Sequence, residues 1–559
     1  MNDYKAARAE VSRLFGIKLK MITYVLYKKG VENLYVSYDI PKKNGGTRVI
    51  YAPDSKLKKI QKKISEKLYE IHINYMNQEK IKSTISHGFE KNKGIITNAY
   101  RHKNKRYLVN VDISDFFSSF NFGRVQGYFH KSQEFGFSKE VSTIIAQLVC
   151  YNGKLPQGAS TSPIISNLIF NIVDRRILTL AKKYKLYYTR YADDMSFSTN
   201  NREFQKEYND FIRELTELLK KSGFMINHNK TRLVYYSSRQ EVTGLTVNNK
   251  INASRNFINQ TRAMANQLYK KDNFQINGKD GTLAQLEGRF SFINQLDWFN
   301  NRLEYKKTNK KKNKKYISDL NAREKQYQYF LFYKYFFKPT KPTIITEGKT
   351  DALHIKAALM KYYDKYPNLI NKLADGRYEF KLYFFNKTKR VEYFLGIYSD
   401  GADTMKNIWN FYNGKHGFAN IFSYLSKKCA GESLNRGNPV ILLFDNEQVN
   451  NKPLRKFLNH TGFKLELDSL FMKLNDNLFL QTIPLIKGSN ECEIEDLYSK
   501  EVLNICIDGK KFEKIVKDGA EDTYSKNIFS KYILEHYQEI DFENFLPLLD
   551  SINGICKIE

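Results

Sequence analysis

The spacing of apolar residues separates helical from strand-forming stretches along the first half of the chain. Residues 107–113 (YLVNVDI) are rich in β-branched residues, which predicts a strand. Residues 186–198 (LYYTRYADDMSFS) predict two strands joined by an acidic turn. A hairpin over 35–51 is predicted by Asn44-Gly45, because Gly tolerates the positive φ of a tight turn. Apolar residues recur three and four positions apart over 57–71, and we also expect helices at 139–150 and 162–182.

The pattern changes near residue 341. Residues 342–346 predict a short strand that ends at Glu347, and residues 349–362 predict a helix. Residues 439–444 form a continuous apolar run that ends at Asp445, as in strands buried on both faces. This order predicts a parallel α/β domain, in which ligands gather at the carboxyl ends of the strands.

Positive charge is concentrated in one part of the chain. The 559 residues carry 91 Lys+Arg and 59 Asp+Glu, a net charge of +32. Residues 341–559 hold 30 basic and 30 acidic residues, so the other 61 basic and 29 acidic residues lie in 1–340. This asymmetry predicts that the first part binds a polyanion. The seven lysines of 306–315 fit either a linker or a loop that contacts phosphates.

The composition argues against several classes of protein. No apolar run approaches the roughly 18 residues that span a bilayer, and the N-terminus lacks a signal-peptide core. The five cysteines are scattered without a CxxC pair, which argues against a disulfide scaffold, a zinc ribbon and an iron–sulfur site. We therefore expect a cytoplasmic protein that has no membrane partner.

Three carboxylates are predicted to meet if the strand 107–113 pairs with the hairpin 186–198. Asp112 lies near the end of the strand, and Asp193 and Asp194 form the turn of the hairpin. Three like charges are costly to bring together unless a cation neutralises them, and oxygen ligands suit Mg²⁺. Two such ions can activate a hydroxyl and stabilise a leaving pyrophosphate. The expected chemistry is nucleotidyl transfer.

The context of these carboxylates resembles a reverse transcriptase across about 250 residues. Four blocks follow each other in the order of that family. They are Asp112-Ile113 with Phe116-Phe117, Leu155-Pro156-Gln157-Gly158 with Ser162-Pro163, Tyr191-Ala192-Asp193-Asp194, and Gly223-Phe224 with Asn229-Lys230-Thr231. The resemblance implies a right-hand polymerase with fingers, palm and thumb, an α+β fold.

Two further motifs resemble retron reverse transcriptases in particular. Asn98-Ala99-Tyr100-Arg101-His102 matches the NAxxH motif, and Val242-Thr243-Gly244 matches the VTG motif. His87-Gly88-Phe89 is also similar to these enzymes. The resemblance implies that Asn98, His102, Val242, Thr243 and Gly244 bind the enzyme's own RNA. A group II intron relative, the rival within reverse transcriptases, should lack both motifs.

The resemblance also implies a role for each residue of the polymerase blocks. Asp112, Asp193 and Asp194 would bind two Mg²⁺, with Asp194 as the lesser ligand. Phe117, or alternatively Phe116, would exclude a 2′-hydroxyl from the incoming nucleotide. The expected contacts with template and nucleotide come from Arg48, Gln157, Gly158 and Lys230, with Arg48 on the triphosphate.

A second acidic group resembles the Toprim domain of topoisomerases, primases and nucleases. Glu347-Gly348-Lys349-Thr350-Asp351-Ala352 matches its EGxxDA motif, whereas a P-loop would need Gly at Thr343. The DxD motif would be Asp445-Asn446-Glu447, which departs from the family at Glu447. The resemblance implies that Glu347 is the general acid or base and that Asp445 and Glu447 hold one or two Mg²⁺. Glu493-Ile494-Glu495-Asp496 is either a further ligand block or a solvated helix start.

Together these features predict a retron reverse transcriptase fused to a Toprim effector. We expect fingers and palm in 1–250, a basic helical thumb and linker in 251–340, a Toprim-like core in 341–450 and a mostly helical region in 451–559. The resemblance implies that dNTPs are used to copy a dedicated non-coding RNA into a branched RNA–DNA product (msDNA), primed from a guanosine 2′-hydroxyl. The effector would be a nuclease in anti-phage defence. The alternative is a reverse transcriptase of another group with an inactive Toprim binding module, and the oligomeric state stays open.

Overall fold

The structure, a computed structural model, forms two compact units. It describes residues 2–42, 45–81, 84–308, 320–398, 403–429, 437–449, 452–466, 469–515 and 522–558, so turn residues 43–44 and lysines 310–315 lie outside the described part. The N-terminal unit comprises Met1–Arg255 and Leu296–Asn301, and the C-terminal unit comprises Asn256–Gln295 and Arg302–Glu559. Within the described ranges, no helix combines the length and apolar character that a membrane crossing requires.

The N-terminal unit contains the helices and strands predicted for the first half of the chain. Its helices are α1 (Asn2–Phe15), α2 (Leu19–Thr23), α3 (Ser55–Gln78), α4 (Ile95–Arg101), α5 (Phe122–Lys131), α6 (Lys139–Val149), α7 (Ser162–Lys183) and α8 (Phe204–Lys221). Its strands are β1 (Tyr35–Pro41), β2 (Thr47–Pro53), β3 (Tyr107–Ser114), β4 (Tyr187–Tyr191), β5 (Asp194–Thr199), β6 (Met225–Tyr235), β7 (Glu241–Val242) and β8 (Leu245–Thr246). A single 3₁₀ turn, Phe117–Ser119, follows β3.

A four-stranded antiparallel sheet carries the acidic turn. Its strand order is β4-β5-β3-β6, so the predicted pairing of β3 with the acidic hairpin is present. Val109, Val111 and Ile113 alternate along β3 and are buried, because successive side chains of a strand point to opposite faces. They join one apolar core with the buried faces of α3 and α5 to α8. The separate hairpin of β1 and β2 pairs as predicted.

The C-terminal unit begins with helices and continues as a mixed α/β body. Its helices are α9 (Arg255–Lys271), α10 (Leu283–Thr308), α11 (Ala322–Phe332), α12 (Asp351–Lys361), α13 (Lys389–Leu395), α14 (Asp403–Asn413), α15 (Ile421–Lys428), α16 (Pro453–Thr461), α17 (Lys500–Leu503), α18 (Lys526–Glu535) and α19 (Leu546–Ile555). Its strands are β9 (Gln275–Ile276), β10 (Lys279–Asp280), β11 (Thr343–Thr346), β12 (Ile370–Lys372), β13 (Tyr378–Phe380), β14 (Tyr383–Phe384), β15 (Val440–Phe444), β16 (Phe471–Lys473), β17 (Leu478–Thr482), β18 (Lys511–Phe512) and β19 (Thr523–Tyr524).

The central sheet of this unit is largely parallel, as the sequence predicts. Its order is β14-β11-β15-β17-β16, and only the β16–β17 pair is antiparallel. Leu442 packs in one apolar core and Leu443 in another, because alternate residues of β15 face opposite sides of the sheet. Since β11 and β15 are parallel neighbours, Glu347 and Asp445 follow adjacent strand ends.

The first compact unit runs to Arg255, close to the predicted boundary at 250, and the second unit is continuous across residues 340 and 450. Ala265 of α9, Phe290 of α10 and Phe330 of α11 share one apolar core with Leu442 of β15. Most of the predicted thumb segment therefore packs in the same unit as the predicted Toprim core. The division into functional domains stays a prediction.

Candidate functional site

The acidic turn of the N-terminal unit brings Asp112, Asp193 and Asp194 together. Asp112 of β3 lies directly opposite Asp194 of β5 in the strand register. The backbone N–H of Ile113 donates to the carbonyl oxygen of Asp193 at 3.1 Å, which ties the turn to the end of β3. Ala192 adopts a left-handed φ of 55°, which reverses the chain between β4 and β5.

Burial, and then the crowding of these carboxylates, raises the pKa of two of them. Desolvation, followed by the charges of Asp193 and Asp112, raises the pKa of Asp194 to about 6, although its side chain keeps an exposed edge. Desolvation and the charge of Asp112 also raise the pKa of Asp193, against the charges of Arg48 and Lys230. The site therefore holds more negative charge than its own cations neutralise, which suits a bound divalent cation.

Two basic residues that the sequence predicted lie close to the acidic turn. Lys230 Nζ donates to Asp112 Oδ2 at 3.0 Å, and Asn227 of the same strand donates to that oxygen at 3.4 Å. Arg48 of β2 lies near enough to Asp193 to lower its pKa. The structure thus brings Arg48 and Lys230 to the same site as the carboxylates.

The loop before α7 lies against the β1–β2 hairpin. The backbone N–H of Tyr51 donates to the carbonyl of Gln157 at 2.8 Å. Gly158 has a φ of +125°, and a Cβ there would lie 2.6 Å from the Tyr51 carbonyl oxygen, so only glycine fits. Phe116 is buried in the core, whereas Phe117 is partly exposed, which favours Phe117 of the two candidate gate residues.

The sequence did not predict a buried network of hydrogen bonds behind the acidic turn. Arg190 is fully buried, pairs with Asp174 at 2.7 Å and donates to the carbonyl of Ala192 at 3.1 Å. Asn167 donates to the carbonyl of Gly88 at 2.7 Å, and a Cβ at Gly88 would lie 2.6 Å from the Ala192 nitrogen. The His87–Phe89 motif is therefore a support of the turn. An arginine within a strand whose other residues are tyrosines and one threonine was the available signal.

The two polar residues of the NAxxH motif lie inside the protein. Asn98 and His102 are fully buried. His102 bonds through Nδ1 to Ser198 of β5 and through Nε2 to Thr189 of β4, both at 2.7 Å, and Thr189 donates to Asn98 at 2.5 Å. The motif therefore joins α4 to both strands of the acidic hairpin. With these side chains buried, direct RNA contact would need a different conformation.

The VTG motif forms the tight turn between β7 and β8 and lies against α4. Val242 is buried, whereas Thr243 and Gly244 form the turn with φ of 47° and 80°. Both residues thus adopt the positive φ of a type I′ turn, which is unfavourable for the β-branched Thr243. Thr243 Oγ1 donates to the carbonyl of Ile95 in α4 at 3.5 Å. The two motifs are therefore neighbours in the fold.

The second acidic group lies at the strand ends of the C-terminal unit. Burial and the charges of Asp351 and Glu447 raise the pKa of Glu347 to about 7. Burial and the charges of Asp351, Glu347 and Glu495 raise the pKa of Asp445. Asp351 accepts a hydrogen bond from the Gly348 N–H at 2.8 Å, and its carboxyl pKa is raised mainly by burial. Asp351 and Glu495 therefore join the predicted pair of Glu347 and Asp445.

Lysines neutralise the outer carboxylates of this group. Glu447 pairs with Lys452 at 2.6 Å. Lys526 contacts Glu493 at 3.1 Å and the buried Glu495 at 3.0 Å. Lys514 contacts Glu493 and Asp496 at 3.1 and 2.7 Å, and these two residues also cap the 3₁₀ turn Ile494–Leu497, so the block begins a short helix beside the acidic group.

The inner carboxylates keep unsatisfied oxygen atoms. Glu347 Oε2 and Glu495 Oε1 are buried and accept no hydrogen bond from the described residues. Such atoms fit a cation ligand better than a structural ion pair. In the part of the chain that the structure describes, three or more His, Cys, Asp or Glu side chains nowhere converge closely enough to form a ready metal site.

Comparison with known proteins identifies the class and then the family. Residues 40–257 match the family described as reverse transcriptase (RNA-dependent DNA polymerase). The retron Ec86 reverse transcriptase of Escherichia coli is 30% identical over 295 residues, which cover 52% of this chain and 84% of that protein. The retron Mx162 enzyme of Myxococcus xanthus is 30% identical over 324 residues, 51% of this chain and 63% of that protein. The chain belongs to the retron reverse transcriptase family.

Solved structures give a weaker likeness. An apo telomerase from Candida Tropicalis covers 54% of this chain and 62% of its own, with 15% identity and a TM-score of 0.31. The family assignment depends on the sequence relatives alone. Those relatives match about half of this chain, so the activity of the other half is a matter for proposal.

Proposed function

We propose that this chain is the RNA-directed DNA polymerase of a retron and copies a dedicated structured RNA into DNA. The observation that carries the proposal is the meeting of Asp112, Asp193 and Asp194 at one end of the four-stranded sheet. Arg48 and Lys230 supply positive charge at the same place. A dNTP triphosphate is the natural ligand of this combination, with its phosphates near Arg48 and Lys230.

The chemistry of these carboxylates suits two Mg²⁺ ions, although the described side chains would have to draw closer together to coordinate them. Asp112, Asp193 and Asp194 would hold them, since carboxylate oxygens suit Mg²⁺ and since burial, followed by the neighbouring carboxylates, raises the pKa values of Asp193 and Asp194. When bound, such ions lower the pKa of the attacking hydroxyl and stabilise the leaving pyrophosphate. Gly158 lets its loop lie against the Tyr51 carbonyl of the β1–β2 hairpin, and Phe117 would exclude a 2′-hydroxyl by its bulk.

The finer retron activity is also part of the proposal. The product would be a branched RNA–DNA molecule (msDNA), primed from a guanosine 2′-hydroxyl of the RNA that stays bound to the chain. The N-terminal position of the excess basic charge supports a permanent nucleic-acid partner. Sequencing the nucleic acid that copurifies with the full chain tests this proposal. We expect one abundant RNA joined to DNA complementary to it, whereas a mixture of unrelated cellular RNA would contradict it.

For the C-terminal unit we propose a Toprim-type, Mg²⁺-dependent phosphodiesterase that acts in anti-phage defence. Glu347 and Asp445 follow adjacent parallel strands, and Asp351 and Glu495 are buried beside them. Asp351 and Glu495 are further candidate partners of Asp445 beside Glu447, because both are buried near it; Lys452 pairs with Glu447 and Lys526 pairs with Glu495. Glu347, with a pKa of about 7, is suited to proton transfer near neutral pH.

Substitution of Glu347 by Gln tests the second activity. We expect Glu347→Gln to abolish nuclease activity and phage protection while DNA synthesis continues, because the two sites lie in different compact units. Glu379→Gln is the matched control, since Glu379 is exposed on β13. If Glu347→Gln and Asp445→Asn both leave protection intact, the unit is a binding module. Loss of DNA synthesis in these variants would contradict the independence of the two sites.

A further inference from the structure

A pocket with a volume of about 360 Å³ opens on the N-terminal unit, and its lining contains none of the predicted site residues. Gly127 and Lys131 of α5 line one side, and Ile169, Ile172 and Arg176 of α7 line the other. These α7 residues are three and four positions apart, so they form one face of that helix. The volume lies within the range of roughly 300–1,000 Å³ that small-molecule sites occupy.

The floor of this pocket is apolar and partly exposed. Ile172 keeps 50% of its surface exposed, although it lies beside the buried Ile169 and Val173. Phe224, which directly precedes β6, also lines the pocket, but its ring is buried beneath Arg124. An exposed apolar surface recessed between two helices is a feature of binding sites more than of an ordinary polar surface.

The rim of the pocket is positively charged and has no acidic residue. Lys131 and Arg176 are exposed and form no ion pair within the described part of the chain. Arg124 lies 4.8 Å above the Phe224 ring and donates to the Ser222 and Ser119 carbonyls at 2.8 and 3.2 Å. The Ser222 hydroxyl also lines the pocket and has no hydrogen-bond partner among the described residues. The pocket therefore offers donors and positive charge but no carboxylate acceptor.

We propose that this pocket binds one nucleotide of single-stranded RNA or DNA, with the base against the exposed side chain of Ile172 and the phosphate at Lys131 and Arg176. An apolar or aromatic surface takes any base face, and guanidinium groups bind phosphate oxygens in pairs. A nucleotide brings many acceptors and few donors, which matches a rim without carboxylates. An acidic peptide would leave its backbone N–H groups without acceptors here. The inference rests on the proposed function only in taking nucleic acid as this chain's partner.

Gly127 provides a way to block the pocket without changing its charge. A Cβ at Gly127 would meet no atom within 4 Å, so a larger side chain enters open space beside the pocket. Gly127→Leu should therefore fill the pocket and also favour the helix. Gly123→Leu is the matched control, because Gly123 lies on the same helix, is exposed and does not line the pocket. Lys131→Gln with Arg176→Gln removes the charges as a second, independent variant.

The experiment uses the full chain with its polymerase cleft occupied by an unlabelled hairpin primer–template. The probes are fluorescent ten-nucleotide strands, one of RNA with 4-thiouridine and one of DNA with 4-thiothymidine, for anisotropy and photocrosslinking. We expect crosslinks in α5 or α7 for the wild type and for Gly123→Leu. In Gly127→Leu and in the double Gln variant, we expect these crosslinks to disappear and the affinity to fall at least about fivefold. The two probes show whether RNA or DNA is the preferred source of the nucleotide.

Unchanged binding and crosslinking in both pocket variants would overturn the proposal. Binding of a polyglutamate peptide that Gly127→Leu abolishes, without crosslinks to either strand, would also overturn it and assign the pocket to a protein partner. DNA synthesis on the short hairpin should be equal in the wild type and Gly127→Leu. Absence of synthesis in the wild type would defeat the proposed polymerase function and would leave the crosslinking result standing.

Discussion

At the scale of single residues, Arg190 stabilises the acidic turn through buried contacts. Its guanidinium pairs with Asp174 at 2.7 Å and donates to the carbonyl of Ala192 within the turn. Both partners are almost completely buried. An ion pair of this kind contributes little net stability compared with an apolar pair, but loss of one partner leaves a buried charge uncompensated. The position of Asp193 and Asp194 therefore depends on Asp174.

We predict that Asp174→Ala lowers the free energy of unfolding by about 3–5 kcal/mol, because it leaves Arg190 buried without a counter-charge. The measurement is urea denaturation followed by circular dichroism. Asp210→Ala is the control, since Asp210 pairs with Arg213 on the surface and should change stability by less than about 1 kcal/mol. Similar losses in the two variants would contradict a special role for the buried pair.

His102 gives the fold a defined sensitivity to acid. Burial lowers the pKa of His102 to about 3, below its ordinary value of 6.5, so the unfolded chain takes up this proton first. The stability that depends on neutral His102 is present above about pH 6.5 and is lost as the pH falls toward 3. We predict that His102→Gln loses less stability than the wild type between pH 7.5 and pH 5, measured as urea midpoints. Equal losses would contradict the assignment.

Sequence patterns predicted which carboxylates of the acidic turn meet but not the position of buried polar residues. Asp112 and Asp194 were expected to meet because strand periodicity fixes which side chains share a face. The sequence motif containing His102 gave no sign that its side chain lies in the core, because a residue type does not report burial. Arg190 was missed for the same reason. Whether His102 and Arg190 are buried depends on packing between residues that are far apart in the sequence.

At the scale of elements, α4 connects the VTG turn to the acidic hairpin. It touches the turn through the Thr243 hydroxyl at the carbonyl of Ile95. The residue after α4, His102, bonds to Thr189 and Ser198 on both strands of the hairpin. A nucleic acid that contacts the exposed turn would therefore be linked to the acidic hairpin by a short series of hydrogen bonds through α4.

We predict that Thr243→Ala combined with Gly244→Ala reduces DNA synthesis on the chain's own RNA more than on a generic primed template. The turn needs positive φ at both positions, so Ala at Gly244 strains the surface that RNA would contact. Both activities are measured in one preparation, with the exposed Asn249→Ala as control. Equal loss on both templates would argue against a recognition role.

At the scale of the whole molecule, two acidic sites occupy different compact units. The positive excess lies within 1–340, whereas 341–559 is neutral. The sequence predicted both sheets, because continuous apolar runs and strand-end carboxylates are local signals. It did not predict that α9, α10 and α11 share a core with β15, because this packing joins residues more than a hundred positions apart. Which helices share a core is therefore harder to predict than which strands end in carboxylates.

The most direct test of the account is DNA synthesis by Asp193→Asn on a primed RNA template. This substitution removes one charge from the metal-binding group and keeps the side-chain volume, so the chain should fold normally. Asp115→Asn is the control, because Asp115 is exposed in the same region and Asn tolerates its φ of 49°. We predict at least a roughly hundredfold loss of synthesis in Asp193→Asn and wild-type activity in Asp115→Asn. Wild-type synthesis by folded Asp193→Asn would contradict the assignment of the polymerase site.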